Sequence, residues 1–289
     1  MFQRLLFCTD LSDGIHRFAH FIAPLAATGA RQIVFLHCAP FTGGEIPRMD
    51  TRKAEEARRR LEIATEVPPA GVNVAVEIEA GRPSETILRT AKHYQADLII
   101  LGMPIQNLLQ EKFFGSTAMA VCQHSTIPVM VLRPQLISTF TAEELSLRCQ
   151  HLFRELLIPY DGSERAKFLV ETIKRHYQNC PSHALELCNV CWVVEDVCRR
   201  DLPPEYFTEP ARKALATVKT DLESVGLTTE VEVLQGDAIV EVLEFAQMAD
   251  VSAIATTSHS LGKLQELSIP SFTRELLHRS WHPIIYFPA

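Results

Sequence analysis

A glycine at the end of an apolar strand, followed by a loop and then by a glycine and hydroxyl residues opening a helix, can hold an anion. The stretch Ile99-Ile-Leu-Gly102-Met-Pro-Ile-Gln-Asn-Leu-Leu-Gln-Glu-Lys-Phe-Phe-Gly115-Ser116-Thr117 has that order. Glycine lets a ligand approach the backbone closely, and the unpaired amides of a helix start suit a phosphate or carboxylate. A plainer role is also open to these residues, with Gly102 turning the chain and Ser116 capping a helix.

A second grouping, Cys180, His183, Cys188 and Cys191, has a spacing that could hold zinc. Cys188 falls inside the apolar run Ala184–Val190, whereas Cys180 and His183 read as loop, so buried or loop thiols are expected and no metal. Cys188-x-x-Cys191 does not open a helix, as a redox pair would. His37 stands at a strand end and is expected to pack; His16, His20, His124, His278 and His282 have no cysteine or carboxylate at a meaningful spacing. There is no Gly-x-Ser-x-Gly elbow, Walker loop or His-Glu-x-x-His helix, so no catalytic residue is assigned and a non-enzyme is the favoured expectation.

Short apolar runs and amphipathic stretches must position these residues. The runs Arg4–Thr9, Gln32–Cys38, Val72–Glu79, Asp97–Leu101 and Pro128–Leu132 predict strands. Between them Ser12–Thr28, Met49–Glu66, Pro83–Tyr94 and Ser116–His124 predict helices. Ser12 and Ser163 are expected to cap, and Pro83 to open a first helical turn. Five alternations imply a parallel sheet with helices on both faces, whose ligands lie beyond the carboxyl ends of the strands.

The pattern occurs twice. Gly81–Val131 aligns with Gly236–Tyr286 at an offset of 155, while Leu5-Leu-Phe-Cys-Thr-Asp10 aligns with Leu156-Leu-Ile-Pro-Tyr-Asp161 at 151, so four residues have been added inside the second copy. The strand ends expected to face a ligand are Thr9-Asp10, His37-Cys38, Gly81 and Gly102, matched by Tyr160-Asp161, Asn189-Val190, Gly236 and Thr257. Two flavodoxin-sized, Rossmann-like α/β domains of five parallel strands are predicted, over residues 1–135 and 153–289. The connecting residues 136–152 are expected to be a linker with a short helix, opened by a capping-box-like Thr141-Ala-Glu-Glu.

Composition excludes several classes. A net charge of −7 argues against a nucleic-acid surface, and the basic cluster Arg52-Lys53 with Arg58-Arg59-Arg60 is interleaved with Glu55-Glu56 like a solvated helix face. No apolar run approaches the ~18 residues that would span a bilayer. Met1-Phe-Gln-Arg-Leu-Leu-Phe goes directly into a strand pattern, so neither export nor membrane association is expected, and the eight cysteines are expected to stay reduced in the cytoplasm.

The chain resembles a tandem universal stress protein over nearly its whole length. The residues that carry the resemblance are Leu5-Leu-Phe-Cys-Thr-Asp10-Leu-Ser, Val34-Phe-Leu-His37, Gly81-Arg-Pro-Ser-Glu-Thr-Ile, Ala96-Asp-Leu-Ile-Ile-Leu-Gly102, Gly115-Ser116 and Ile127-Pro-Val-Met-Val-Leu. In the second copy they are Ile158-Pro-Tyr-Asp161-Gly-Ser-Glu, Gly236-Asp and Trp281-His-Pro-Ile-Ile. ATP-binding members of that family carry a Gly-x2-Gly-x9-Gly-Ser/Thr loop, which maps here onto Gly102, Ile105, Gly115 and Ser116. The resemblance implies that Asp10 and the backbone of Cys38 would hold adenine of ATP or AMP, while Gly102, Gly115, Ser116 and Thr117 would hold ribose and phosphate. Ile105 replaces the middle glycine, and Pro104 removes an amide donor. In the second copy Thr257, Ser260, Pro270 and Ser271 stand at these places, with Gly262 nearby, and no cofactor is expected there.

The resemblance further implies a cytoplasmic, non-enzymatic stress-response protein. Its two domains would pair as an intrachain pseudo-dimer through the last strands, Pro128–Leu132 and Pro283–Phe287, with further homodimerisation left open. Two alternatives stand beside it: an adenine-nucleotide sensor or slow ATP hydrolase using the first copy, and a carrier of a metal or small apolar ligand.

Overall fold

The computed structural model describes residues 1–42, 48–103, 115–133, 137, 141–180, 184–195, 205–257 and 271–288. They form two compact units, residues 2–152 and 153–287.

In the first unit the strands are β1 (Arg4–Thr9), β2 (Gln32–Ala39), β5 (Asn73–Ala80), β6 (Leu98–Gly102) and β7 (Val129–Leu132), each within two residues of the predicted bounds. A small antiparallel hairpin that the pattern did not announce, β3 (Phe41–Thr42) with β4 (Arg48–Met49), follows β2. The five long strands are all parallel, in the order β5-β2-β1-β6-β7. β1 is buried at every position after Arg4, as a central parallel strand covered on both faces must be. Phe7 on β1 stacks on Phe35 of β2 with ring centroids 5.1 Å apart and meets Phe18 at 5.4 Å, so one face of the sheet is sealed by aromatic contact.

The second unit repeats the design with β8 (Glu155–Pro159), β9 (Leu187–Val194), β10 (Thr228–Gln235), β11 (Ala253–Thr257) and β12 (Ile284–Phe287). Its strand order is β10-β9-β8-β11-β12, again all parallel. In both units the winding reverses beside the first strand, between β1 and β6 and between β8 and β11. That is where open α/β sheets leave a crevice.

Strand register places the four added residues. Arg4 pairs with Gln32 in the first unit and Glu155 with Leu187 in the second, so the offset has already grown from 151 to 155 by the second strand. This corrects the expected match of His37-Cys38 with Asn189-Val190. Asn189 is buried in the middle of β9, and the residues equivalent to His37 and Cys38 are Trp192 and Val193.

The added residues lie in the connection between those strands. In the second unit it is one helix, Glu164–Gln178, capped by Ser163, whose hydroxyl accepts from the Ala166 amide at 3.2 Å. In the first unit the helix expected over Ser12–Thr28 is broken into a 3-10 helix, Ile15–His20, and a short α-helix, Ile22–Ala27, with Phe21 at φ −123° between them. Ser12 does not cap either piece. Its amide and hydroxyl both donate to Asp10 Oδ1 at 2.8 Å, a local turn that competes with helix for the same groups.

The helix expected over Met49–Glu66 is likewise two, Thr51–Leu61 and Ile63–Glu66. It buries Ala54, Ala57 and Leu61 and turns its arginines outward, with Arg60 paired to Glu56 at 2.6 Å, which is the solvated face read from the sequence. In the stretch expected to be a linker, the helix Ala142–Gln150 opens with a complete capping box. The Glu144 amide donates to the Thr141 hydroxyl at 3.4 Å and the Thr141 amide donates to the Glu144 carboxylate at 3.0 Å. That helix packs on Ile22–Ala27 and belongs to the first unit. Among the described residues no helix is long and apolar enough to cross a membrane.

Candidate functional site

The first crevice begins at the turn that leaves β1. Asp10 Oδ1 accepts from the Ser12 amide and hydroxyl and from the Asp13 amide at 3.0 Å, and the Leu11 amide donates to Thr9 Oγ1 at 2.9 Å. These bonds hold Leu11 at φ +68°, a left-handed conformation that costs a residue with a Cβ about 1–2 kcal/mol. The equivalent residue of the second unit is Gly162, at φ +74°, where no such cost arises.

Asp13 is the group around which this turn is organised. It is 3% exposed; its Oδ1 accepts from the Thr9 hydroxyl at 2.7 Å and the Ile15 amide at 2.9 Å, and its Oδ2 accepts from the Asp10 amide at 3.2 Å. Burial pushes its carboxyl up to about 6, with the neighbouring Asp10 adding to the rise and the Thr9 bond opposing it. Across the crevice sits Gly102, the last residue of β6. A Cβ there would lie 2.6 Å from Asp13 Cβ and 2.8 Å from its Oδ2, so Gly102 is glycine because Asp13 occupies the space above it.

The six residues singled out from the sequence, Asp10, Cys38, Gly102, Gly115, Ser116 and Thr117, all line one cavity of about 220 Å³. Asp10 comes from the β1 turn, Cys38 from the end of β2 and Gly102 from the end of β6; Gly115 to Thr117 open the helix Ser116–His124. Pro104 and Ile105 lie outside the described residues. Asp13, which is not among those six, also lines the cavity. Its signal was the second acid of Asp10-Leu-Ser-Asp13, directly after a strand.

The second unit has a cavity at the equivalent place, and it is larger, about 550 Å³. Glu164, the counterpart of Asp13, pairs outside with Lys167 at 2.7 Å and fills nothing. Thr9 and His37 are replaced by Tyr160 and Trp192, whose rings meet edge to face with centroids 5.8 Å apart. Thr256, Thr257 and Thr273 stand where the first unit has Leu101, Gly102 and Ala118. Ser260, Gly262 and Pro270 lie outside the described residues.

The other candidates stay apart. His37 is buried with Nδ1 2.9 Å from the Thr9 carbonyl, to which it donates, so it fixes the ends of β1 and β2. Burial pushes the Cys38 thiol up to about 11, with Glu79 adding to the rise, and raises Cys8 well above the usual thiol range. Neither is a ready nucleophile. Cys188 and Cys191 are three apart on β9 and so project to opposite faces; burial pushes both thiols up to about 12. His183 lies outside the described residues, and no group of three or more metal-ligating side chains is present among those described.

Residues 1–133 and 152–288 each match the model of the Universal stress protein family. The chain is 24% identical over 157 residues to the Universal stress protein MJ0577 of Methanocaldococcus jannaschii, covering 46% of this chain and 96% of that protein. A 58-residue stretch is 34% identical to the stress response protein NhaX of Bacillus subtilis, covering 20% of this chain and 35% of that protein. Among solved structures, a universal stress protein from Archaeoglobus fulgidus DSM 4304 superposes with a TM-score of 0.65 at 19% identity, covering 98% of this chain and 97% of that one. A putative universal stress protein from Pseudomonas aeruginosa UCBPP-PA14 gives 0.63 at 15% identity, covering 99% and 93%. These two likenesses establish the fold.

Proposed function

Because the chain belongs to the universal stress protein family, once in each unit, we propose that it is a cytoplasmic stress-response protein. It acts by binding and catalyses nothing, and its first unit keeps an adenine-nucleotide site that is held partly closed. The observation that carries this reading is the convergence of Asp10, Cys38, Gly102, Gly115, Ser116 and Thr117 on one cavity into which Asp13 projects.

The residues fit a nucleotide at the edges of the site and not at its centre. The helix start at Ser116 offers amides to a phosphate. Asp13 stands against Gly102, where the backbone would have to be approached, and the free space of about 220 Å³ falls below the ~300–1,000 Å³ usual for small-molecule pockets. A nucleotide therefore enters when Asp13 swings aside, and its negative charge above pH 6 opposes a polyphosphate. The non-catalytic reading is supported by the bonded, buried His37 and the raised thiols of Cys8 and Cys38.

Melting the protein with millimolar AMP or ATP tests this. A ligand at a hundred times its dissociation constant stabilises the fold by about 2.7 kcal/mol. A small rise in Tm is expected for the native chain and a larger one for Asp13→Ala; Ile105→Gly should also strengthen binding. Unchanged melting of all three proteins would remove the nucleotide reading, whereas release of phosphate from ATP would overturn the non-catalytic one.

We also propose that the two units pair through their last strands. It is supported by the wholly apolar make-up of Val129–Leu132 and the apolar and aromatic make-up of Ile284–Phe287, since unpaired apolar edges invite association. Cysteine pairs scanned across the two strands should yield a disulfide in one register. No disulfide in any register would exclude the pairing.

A further inference from the structure

The cavity of the second unit has lost the features that suit a nucleotide and gained others. One wall is aromatic, Tyr160 against Trp192, with Phe272 also lining the cavity. Leu169, Val242 and Ala255 make it apolar between them. Trp192 also packs on the β8 turn, within 2.9 Å of where a Cβ on Gly162 would stand, so turn and ring are fixed together. The volume of about 550 Å³ lies in the range of small-molecule sites, which are apolar with a few placed polar groups.

Two kinds of polar group are placed there. Thr256 and Thr273 bond each other through their hydroxyls at 2.6 Å, and Thr257 donates to the Phe287 carbonyl at 2.8 Å. These hydroxyls are satisfied within the protein and ask nothing of a ligand. Arg165 is different: it lines the cavity half-buried and makes no hydrogen bond or ion pair among the described residues. Two carboxylates, Asp161 and Glu195, also border the cavity; both are exposed to water, and Asp161 accepts from the Ser163 amide at 2.9 Å. A half-buried cation is screened less than exposed anions, and Arg165 is the one lysine or arginine lining this cavity among the described residues.

We propose that the second unit binds a compact aromatic carboxylate, its ring against Tyr160 and Trp192 and its carboxylate on Arg165. A guanidinium matches a carboxylate with two parallel N–H donors, and flat rings stack offset or edge-on against such walls. The site is independent of the nucleotide reading of the first unit, so either can fail alone.

Calorimetry on the full chain with 2-naphthoate, its neutral carboxamide and 2-naphthylmethylamine tests the inference. Naphthoate should bind at one site, at least tenfold more tightly than the amide and the amine, since a hydrogen bond to a charged partner is worth about that factor. Arg165→Ala should bring naphthoate down to the amide's affinity and leave the amide unchanged. Val242→Trp should fill the cavity and abolish all binding while the circular dichroism spectrum stays native. No heat from any probe at millimolar concentration, equal affinity for amide and carboxylate, or binding that survives Val242→Trp would each overturn it. So would displacement of naphthoate by AMP in the Asp13→Ala and native chains alike.

Discussion

Gly102→Ala is expected to lower the stability of the first unit by about 2–3 kcal/mol, at the upper end of what overpacking costs. The new methyl would stand 2.6 Å from Asp13 Cβ, a distance that no rotamer of Asp13 relieves because Cβ itself is the obstacle. The backbone of β6 or of the β1 turn must shift, and with it the three hydrogen bonds that Asp13 accepts. Asp13→Gly removes the obstacle, so in the double variant the two losses should fall short of their sum by more than 1 kcal/mol. Urea denaturation followed by far-ultraviolet circular dichroism is the suitable measurement, since both tryptophans, Trp192 and Trp281, belong to the second unit. A Gly102→Ala protein within 0.5 kcal/mol of the native chain, or strictly additive losses, would show that the two residues do not compete for space.

The second large effect is on pH dependence. The Asp13 carboxyl titrates at about 6 in the folded unit, against about 3.9 in an unfolded chain. Between those values the folded state holds a proton that the unfolded state has released. The contribution of Asp13 is therefore fully present below pH 4 and is lost as pH rises through 6. With one pKa unit worth 1.36 kcal/mol, the loss is about 2–3 kcal/mol. Asparagine keeps the oxygen that accepts from Thr9 and Ile15 and does not titrate. The stability of Asp13→Asn relative to the native chain should accordingly improve by about 2–3 kcal/mol from pH 4 to pH 7, whatever its absolute value. Urea midpoints of both proteins at the two pH values measure it, and a gap that does not move with pH would place the Asp13 carboxyl in an ordinary environment.

The sequence was most legible where the pattern is periodic. Leu5-Leu-Phe-Cys and Leu98-Ile-Ile-Leu are unbroken apolar runs that only a doubly covered parallel strand accommodates, and their bounds were readable to within two residues. The capping box at Thr141 and Glu144 was equally plain, because it depends on two side chains three residues apart. Illegible features were those decided across the fold. Helical periodicity over Ser12–Thr28 masked the break at Phe21, where Pro24 has no amide to give the His20 carbonyl and its ring crowds it. The place of the four added residues depends on register between neighbouring strands, which no single strand encodes; hence Trp192 went unrecognised as a cavity wall. The six candidate residues were identifiable through the family resemblance, and each sits at a strand end or helix start. Asp13 was not, since its role comes from facing Gly102, 89 positions away.

The break between Ile15–His20 and Ile22–Ala27 bears on more than topology. Asp13 rides on the segment leading into it, a single irregular turn held by side-chain bonds, whereas Glu164 opens a continuous helix of 15 residues. The residue that narrows the first cavity is thus held by hydrogen bonds to its own carboxylate rather than by a helix. Protonation of Asp13 thus changes the charge lining the first cavity, whereas the residue at its place in the second unit opens a helix and stands outside the cavity wall.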